Sequence, residues 1–400
     1  MKLTNASLLN ATAIFLVFAG LAKSATGCAD PAADDAAPGV AGIATEARSA
    51  AAQPLPFSIS GEREALVVGD AKGVLRIVTL GESSTVRAVE GGTLPAAPRS
   101  GRTRDGVVFV LATDGTVAAV DPESAAVTRA VPTAIDYAFD LEIVDAHTAV
   151  ITSAVDGVLR KVDLRTGETL GHLDLDEVAG ASALGSLTVQ DGVLYVQVQR
   201  TRGRNQSRGA VALVRPADLH VMKLVELEVE DPAAPGALLH GLQPSGAFVA
   251  DGNYLYVTAK GDRPRNTGLL LRLDVARGAL DPWVLRAQAG FQGPLALGPG
   301  GESFGVYHTS TPVASSHLFR TALAAAPPRL EGEALLDAFE EVTELPASRD
   351  RSVFALPISC PVGFCVGGAG ITFVTTKDGV VHPRLSAEAL GGKPEFVLFL

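Results

Sequence analysis

One unit repeats along almost the whole of this chain, and a repeat of that size constrains the fold more tightly than composition does. It is clearest between Thr148 and Leu175. An apolar run, Ala149-Val150-Ile151, leads into a turn at Asp156-Gly157, and an alternating stretch carries Val158, Arg160 and Val162. A second turn, Asp163-Leu-Arg-Thr-Gly167, precedes a short strand with Leu170, Leu173 and Leu175. Connections of two to five turn residues allow only a hairpin return, so the unit is an antiparallel meander.

Apolar runs equivalent to the first of these strands occur at Ala65–Val68, Val107–Ala112, Ala149–Thr152, Val193–Val198, Tyr254–Ala259, Ser303–His308 and Ser352–Leu356. They begin roughly 40 to 60 residues apart, near the period of propeller blades. Alternating strands follow most of them: Val74–Val78, Thr116–Val120, Val158–Val162, Ala210–Val214, Leu269–Leu273, His317–Arg320 and Ile371–Thr375. Asp and Gly recur in the closing turns because Asp bonds its own backbone and Gly takes positive φ. Seven units predict an all-β chain folded as a seven-bladed β-propeller over 57–400, in which stacking buries the two apolar faces that each blade alone would expose. Six or eight blades, or a pair of β-sandwiches, are the alternatives; the sandwich pair needs a mid-chain linker, and none is visible. The chain ends on a bare apolar strand, Glu395-Phe-Val-Leu-Phe-Leu400. Unpaired, that strand would be an aggregation edge. It is expected to join the first blade, near Glu64, and close the ring.

The pattern of apolar run, turn, alternating strand and Asp-x-x-Thr-Gly turn resembles the YVTN and quinoprotein-like propellers. Leu194-Tyr-Val196, Tyr254-Leu-Tyr-Val-Thr258 and Val162-Asp-Leu-Arg-Thr-Gly-Glu168 carry the resemblance. It implies a protein secreted or anchored at a bacterial surface. That set contains quinone-dependent dehydrogenases, sugar-lactone hydrolases and many binding proteins. No functional motif of its enzymes stands in this sequence to be carried over.

The N-terminal residues read as an address. Leu8 to Ala22 is apolar but short for a membrane span, matching a signal-peptide core over 1–27. Small residues then lead to Cys28, as in a bacterial lipoprotein signal whose cysteine is lipidated, although Ala25 stands where such signals usually carry Leu. Ordinary cleavage after Gly27 and a retained anchor remain as alternatives. Residues 28–56 are rich in Ala, Pro and Asp without an apolar period, the composition of a flexible tether. The other two cysteines, Cys360 and Cys365, are spaced for a small disulfide loop in an oxidising compartment.

Loop length is the main irregularity. Connections between the second and third strands are minimal in the first three units and long in the last four: Gln199–Gly209, Lys260–Gly268, His308–His317 and Ser359–Gly368. Variable loops on a rigid scaffold are where recognition is usually housed. Two of them are basic, with Arg200, Arg202, Arg204 and Arg208 in one and Lys260, Arg263 and Arg265 in the next. Arginine forks suit carboxylates, sulfates and phosphates, so an anionic glycan, a small anionic ligand or an acidic envelope protein is the expected partner. A solvated loop balanced by nearby acids is the plainer alternative. The net charge of −11 argues against nucleic acid. His308 and His317 bracket one long loop and are the best metal hint available, set against two ordinary histidines. No Gly-x-Ser-x-Gly, P-loop or His-Glu-x-x-His is present, and no cofactor is expected. The sequence therefore predicts an extracytoplasmic binding or scaffold propeller, tethered to the membrane through lipid on Cys28. A secreted propeller enzyme of quinoprotein or lactonase type, with a central-channel site, is the alternative.

Overall fold

The computed structural model describes residues 53–54, 64–80, 85–200, 208–230, 236–239, 241–260, 268–286, 291–309, 315–325, 328–338, 342, 344–358 and 368–400. Seven antiparallel sheets follow one another along the chain. Blade 2 is formed by Pro98–Arg104, Val107–Ala112, Thr116–Val120 and Val127–Pro132, paired in sequence order. Blade 3 (Ala138–Asp145 to Thr169–Asp174), blade 4 (Ala183–Gln190 to His220–Glu226), blade 5 (Gln243–Asp251 to Ala279–Arg286) and blade 6 (Phe291–Leu297 to Arg329–Ala338) repeat that order. In blade 7 three strands, Val353–Ile358, Gly370–Thr375 and Leu385–Ser386, are joined by the segment 346–348. Ser348 N–H donates to the Val353 carbonyl at 2.8 Å and Ala355 N–H to the Pro346 carbonyl at 2.9 Å. The described residues hold only two helices, Leu175–Ala179 and Ala387–Leu390.

All seven apolar runs read from the sequence are second strands, and the alternating stretches are third strands. The third strand of blade 4 is apolar on both faces, Ala210–Arg215 being buried at every position but the last. Each face packs on a neighbouring blade, so the core is a series of inter-blade layers. Turns fix the register. In Asp163–Gly167 the Asp163 carboxylate accepts from the Arg165 main-chain N–H at 2.7 Å and from its guanidinium at 2.8 Å. The Arg165 side chain and main chain together hold that carboxyl down at about 2. Gly167 takes φ +77°, and a Cβ there would meet the Pro132 carbonyl of blade 2 at 2.2 Å, so the residue is fixed by both conformation and space.

Blade 1 closes the ring. Its own strands, Glu64–Gly69, Val74–Leu80 and Thr85–Thr93, are flanked by Gln53–Pro54 and by the C-terminal strand Phe396–Phe399. Leu66 faces Phe399 and Gly69 faces Phe396 in antiparallel register. Val397 and Phe399 are buried with the blade 7 residues Ala355 and Phe373, while Phe396 is buried with Val110 and Ala118 of blade 2. One strand from the far end of the chain thus seals both flanks of blade 1. Val397→Asp places an unpaired charge in that layer. It should lower the unfolding free energy by about 3 kcal/mol or more in denaturant titration.

Candidate functional site

The first strands of blades 2 to 6 pack against one another in succession around the channel. Each departs from regular pairing at about the same level, with register shifts at Pro98/Ser100, Ala138/Asp140, Leu184/Leu187, Ser245/Val249 and Gln292/Leu295. A bulge bends its strand and re-aims side chains. The main-chain groups it frees need partners, and buried polar side chains on the second strands supply them. Thr152 Oγ1 accepts from the Asp140 N–H at 3.2 Å. Gln197 is fully buried; its Oε1 accepts from the Ser186 N–H at 3.3 Å and its Nε2 donates to the Gly246 carbonyl of blade 5 at 3.0 Å. Thr258 Oγ1 donates to the Gly293 carbonyl of blade 6 at 3.1 Å. The sequence accommodates this with Gly185, where a Cβ would meet Gln197 Oε1 at 2.5 Å.

The bulges aim Ser100, Asp140 and Ser186 at one point. The Asp140 carboxylate is buried and accepts from five groups on three blades. Its Oδ1 takes the Ser100 hydroxyl, the Leu141 N–H at 2.9 Å and Arg102 Nη2 at 3.1 Å. Its Oδ2 takes the Ser186 hydroxyl at 2.6 Å and the Leu187 N–H at 3.0 Å. Arg102 is equally committed. Nε donates to Glu142 at 3.2 Å, Nη1 to the Gly101 carbonyl at 2.9 Å and Ser100 Oγ at 3.3 Å, and Nη2 also to the Leu187 carbonyl at 3.2 Å. Burial works against the guanidinium charge, and Asp140 and Glu142 outweigh it, holding Arg102 above its usual value. Such a saturated buried network rigidifies its surroundings. With its lone pairs occupied, Asp140 is poorly placed to act as a base or nucleophile.

Beside this network lies a cavity of about 170 Å³. Ser100, Arg102, Asp140 and Ser186 form one wall; Phe396, Val397 and Leu398 of the closing strand, with Pro346 and Ala247, form the apolar remainder. Glu344, from the segment leading into blade 7, also lines it. Glu344 is exposed, and loss of hydration from the protein around it raises its carboxyl above the ordinary glutamate value. Arg99 pulls it back down, and Asp140 pushes it further up. Glu142 is likewise raised by burial and partly restored by Arg102. No histidine is among the cavity's lining residues.

The residues singled out from the sequence lie elsewhere. Arg200 is mostly buried at the stem of its loop, paired with Glu226 at 2.5 Å and donating to the Ala179 carbonyl. Arg208 pairs with Glu228 at 2.6 Å. These two therefore answer to nearby acids. Lys260 ends the second strand of blade 5. Arg202, Arg204, Arg263 and Arg265 lie outside the described residues, as do Cys28, Cys360 and Cys365. His308 sits opposite Ser316 and His317 opposite Tyr307 on adjacent strands, one step apart, so the two rings project to opposite faces of the sheet. His308 bonds Ser316 Oγ at 2.8 Å, and His317 stacks on Tyr307 at 4.8 Å. The pair does not converge on a common ion. Among the described residues no group of three His, Cys, Asp or Glu side chains forms a metal cluster. The sequence reading missed the Arg102–Asp140 knot and Glu344, although Arg102-Thr-Arg104 facing Asp140-Leu-Glu142 on consecutive first strands is a complementary charge pattern.

No family model matches the chain, and no curated protein matches it. Solved structures share its fold. A protein from Bacteroides fragilis NCTC 9343, described provisionally as a 6-phosphogluconolactonase, aligns with a TM-score of 0.55 at 12% identity, covering 86% of this chain and 99% of that one. The Cps50 (Swd1) β-propeller domain of Myceliophteria thermophila aligns at 0.50 and 12% identity, covering 74% and 87%. At such identities the likeness shows the propeller fold alone.

Asp140→Asn keeps the shape but removes the charge that faces Arg102 and turns an amide donor toward hydroxyl and N–H donors. It should cost about 3 kcal/mol in denaturant titration, as for one partner removed from a buried pair. Glu344 behaves oppositely. Its folded pKa lies above the unfolded value, so the fold is relatively favoured while Glu344 is protonated and loses that advantage as pH rises through the folded pKa. Glu344→Gln should therefore melt above the wild type at neutral pH, with the difference vanishing below about pH 4, near the unfolded glutamate pKa. Thermal unfolding across that range checks the sign.

Proposed function

We propose that this chain is a binding propeller of the bacterial envelope rather than an enzyme, tethered through lipid on Cys28 and recognising an anionic partner with the long connections of blades 4, 5 and 7. The observation that carries this reading is the placement of loop length. Long connections between described second and third strands, from Gln199 to Ala210, Lys260 to Gly268 and Ile358 to Gly370, occur at the same topological position in blades 4, 5 and 7, whereas the blade 6 strands extend to Thr309 and Ser315 and leave a connection only one residue longer than those of blades 1 and 3. Blades 1 to 3 turn there within Gly69–Val74, Ala112–Thr116 and Ser153–Val158. Equivalent connections leave from the same end of their sheets, so the added chain length is gathered in the later blades of the ring. The saturation of Asp140 and Arg102 supports the same reading, because the most buried charges of the channel are already spent on holding three blades together.

The enzymatic alternative, a quinoprotein or lactonase type of reaction in the channel, draws on fold alone, and one propeller fold hosts many activities. The resemblance to YVTN-type repeats fits a surface-anchored protein. Arg202, Arg204, Arg263 and Arg265 are the cations we assign to recognition, since Arg200 and Arg208 are paired with Glu226 and Glu228. Replacing these four by Ala should release the protein from a dextran sulfate column at clearly lower salt than the wild type, with unchanged thermal unfolding. Elution at the wild-type salt concentration would remove the basic loops from the reading.

A further inference from the structure

The channel cavity differs from the loop face in one chemical respect. Its described lining carries acceptors but hardly a free donor. The Ser100 and Ser186 hydroxyls are both given to Asp140. The Arg102 N–H groups go to Glu142, Ser100, the Gly101 and Leu187 carbonyls and Asp140. Arg99 lies over the Phe139 ring at 4.4 Å, forming no ion pair with Glu344. Glu344 has no hydrogen bond or ion pair to any described residue, and it lines the cavity together with Phe396, Val397, Leu398, Pro346 and Ala247. Counting charges, the guanidiniums of Arg99 and Arg102 stand against the carboxylates of Asp140, Glu142 and Glu344, leaving one negative charge in excess. An anion entering this space meets a carboxylate and finds the guanidinium of Arg102 already occupied. A cation with an apolar body meets a carboxylate on one side and hydrocarbon on the other. The volume, about 170 Å³, slightly exceeds that of a cavity known to admit benzene, so the body is limited to about that size.

We propose that the channel cavity is a binding site for a small organic cation, an alkyl- or arylammonium of benzene-like size, held by a charge-assisted hydrogen bond to Glu344 against the apolar wall of the closing strand. The site is independent of the loop face and of its anionic partner. It needs the ring closed, because Phe396–Leu398 supplies much of its wall. The Asp140 knot fixes the Ser100, Arg102, Asp140 and Ser186 part of the lining, so that part of the cavity is formed before the ligand arrives.

Calorimetric titration of the full chain with benzylammonium chloride tests the proposal, with benzyl alcohol and sodium benzoate as probes of the same shape. Benzylammonium should bind, benzyl alcohol more weakly, and benzoate not measurably. Glu344→Gln removes the charge while leaving the fold at least as stable at neutral pH, and it should weaken benzylammonium about tenfold or more, the loss expected of a charge-assisted bond. Absence of benzylammonium binding would overturn the proposal. So would benzoate binding as tightly as the amine, or an unchanged affinity in Glu344→Gln whose thermal unfolding shows it to be folded.

Discussion

Closure of the ring is the constraint on which the rest of this structure depends. A blade of three or four strands has two apolar faces, and neither is buried unless a neighbour lies on each side. In an open array the first and last blades would each expose one. Here the C-terminal strand Phe396–Phe399 pairs with Glu64–Gly69 and places Val397 and Phe399 in the layer shared with blade 7, Phe396 in the layer shared with blade 2. The same strand lines the channel cavity, so the element that completes the core also completes the candidate ligand site.

Within the ring, the bulged first strands solve a second problem. Their irregular backbone leaves N–H and carbonyl groups that the sheet does not pair, in a place where an unmet bond is costly. Thr152, Gln197 and Thr258 meet them, and two of these side chains reach across to the next blade. The Asp140 carboxylate and Arg102 add a charged tie across blades 2, 3 and 4. These charges are thereby committed to architecture. Glu344, which has no such tie among the described residues, is the carboxylate of the cavity to which the proposed ligand is assigned.

The architecture was legible because it is written in periodicity. Second strands such as Val193–Gln199 and third strands such as Leu269–Leu273 are near-continuous apolar runs, and their turns carry Asp and Gly at fixed offsets. The closing strand was legible for a related reason: an apolar terminus without a turn demands a partner. First strands were harder to read. Pro98–Arg104 and Gln243–Asp251 mix polar and charged residues with bulges, and the alternation that marks a strand is broken where the strand does its positioning. Asp140 and Glu344 lie 204 positions apart in sequence and meet only through ring closure, which no local pattern encodes. The histidine pair failed for the converse reason. Nearness in sequence suggested convergence, and a one-step difference in strand register sends the two rings to opposite faces.

The central claim is a division of labour, in which the channel charges hold the propeller together and the proposed recognition of an anionic partner falls to the long connections of blades 4, 5 and 7. Hydrogen–deuterium exchange of the full chain, with and without dextran sulfate, tests it most directly. The account predicts slowed exchange in peptides covering 199–209 and 260–268, with the channel strands 138–145 and 183–190 protected equally in both states. Slowed exchange confined to those channel strands, or none in the long connections, would contradict it.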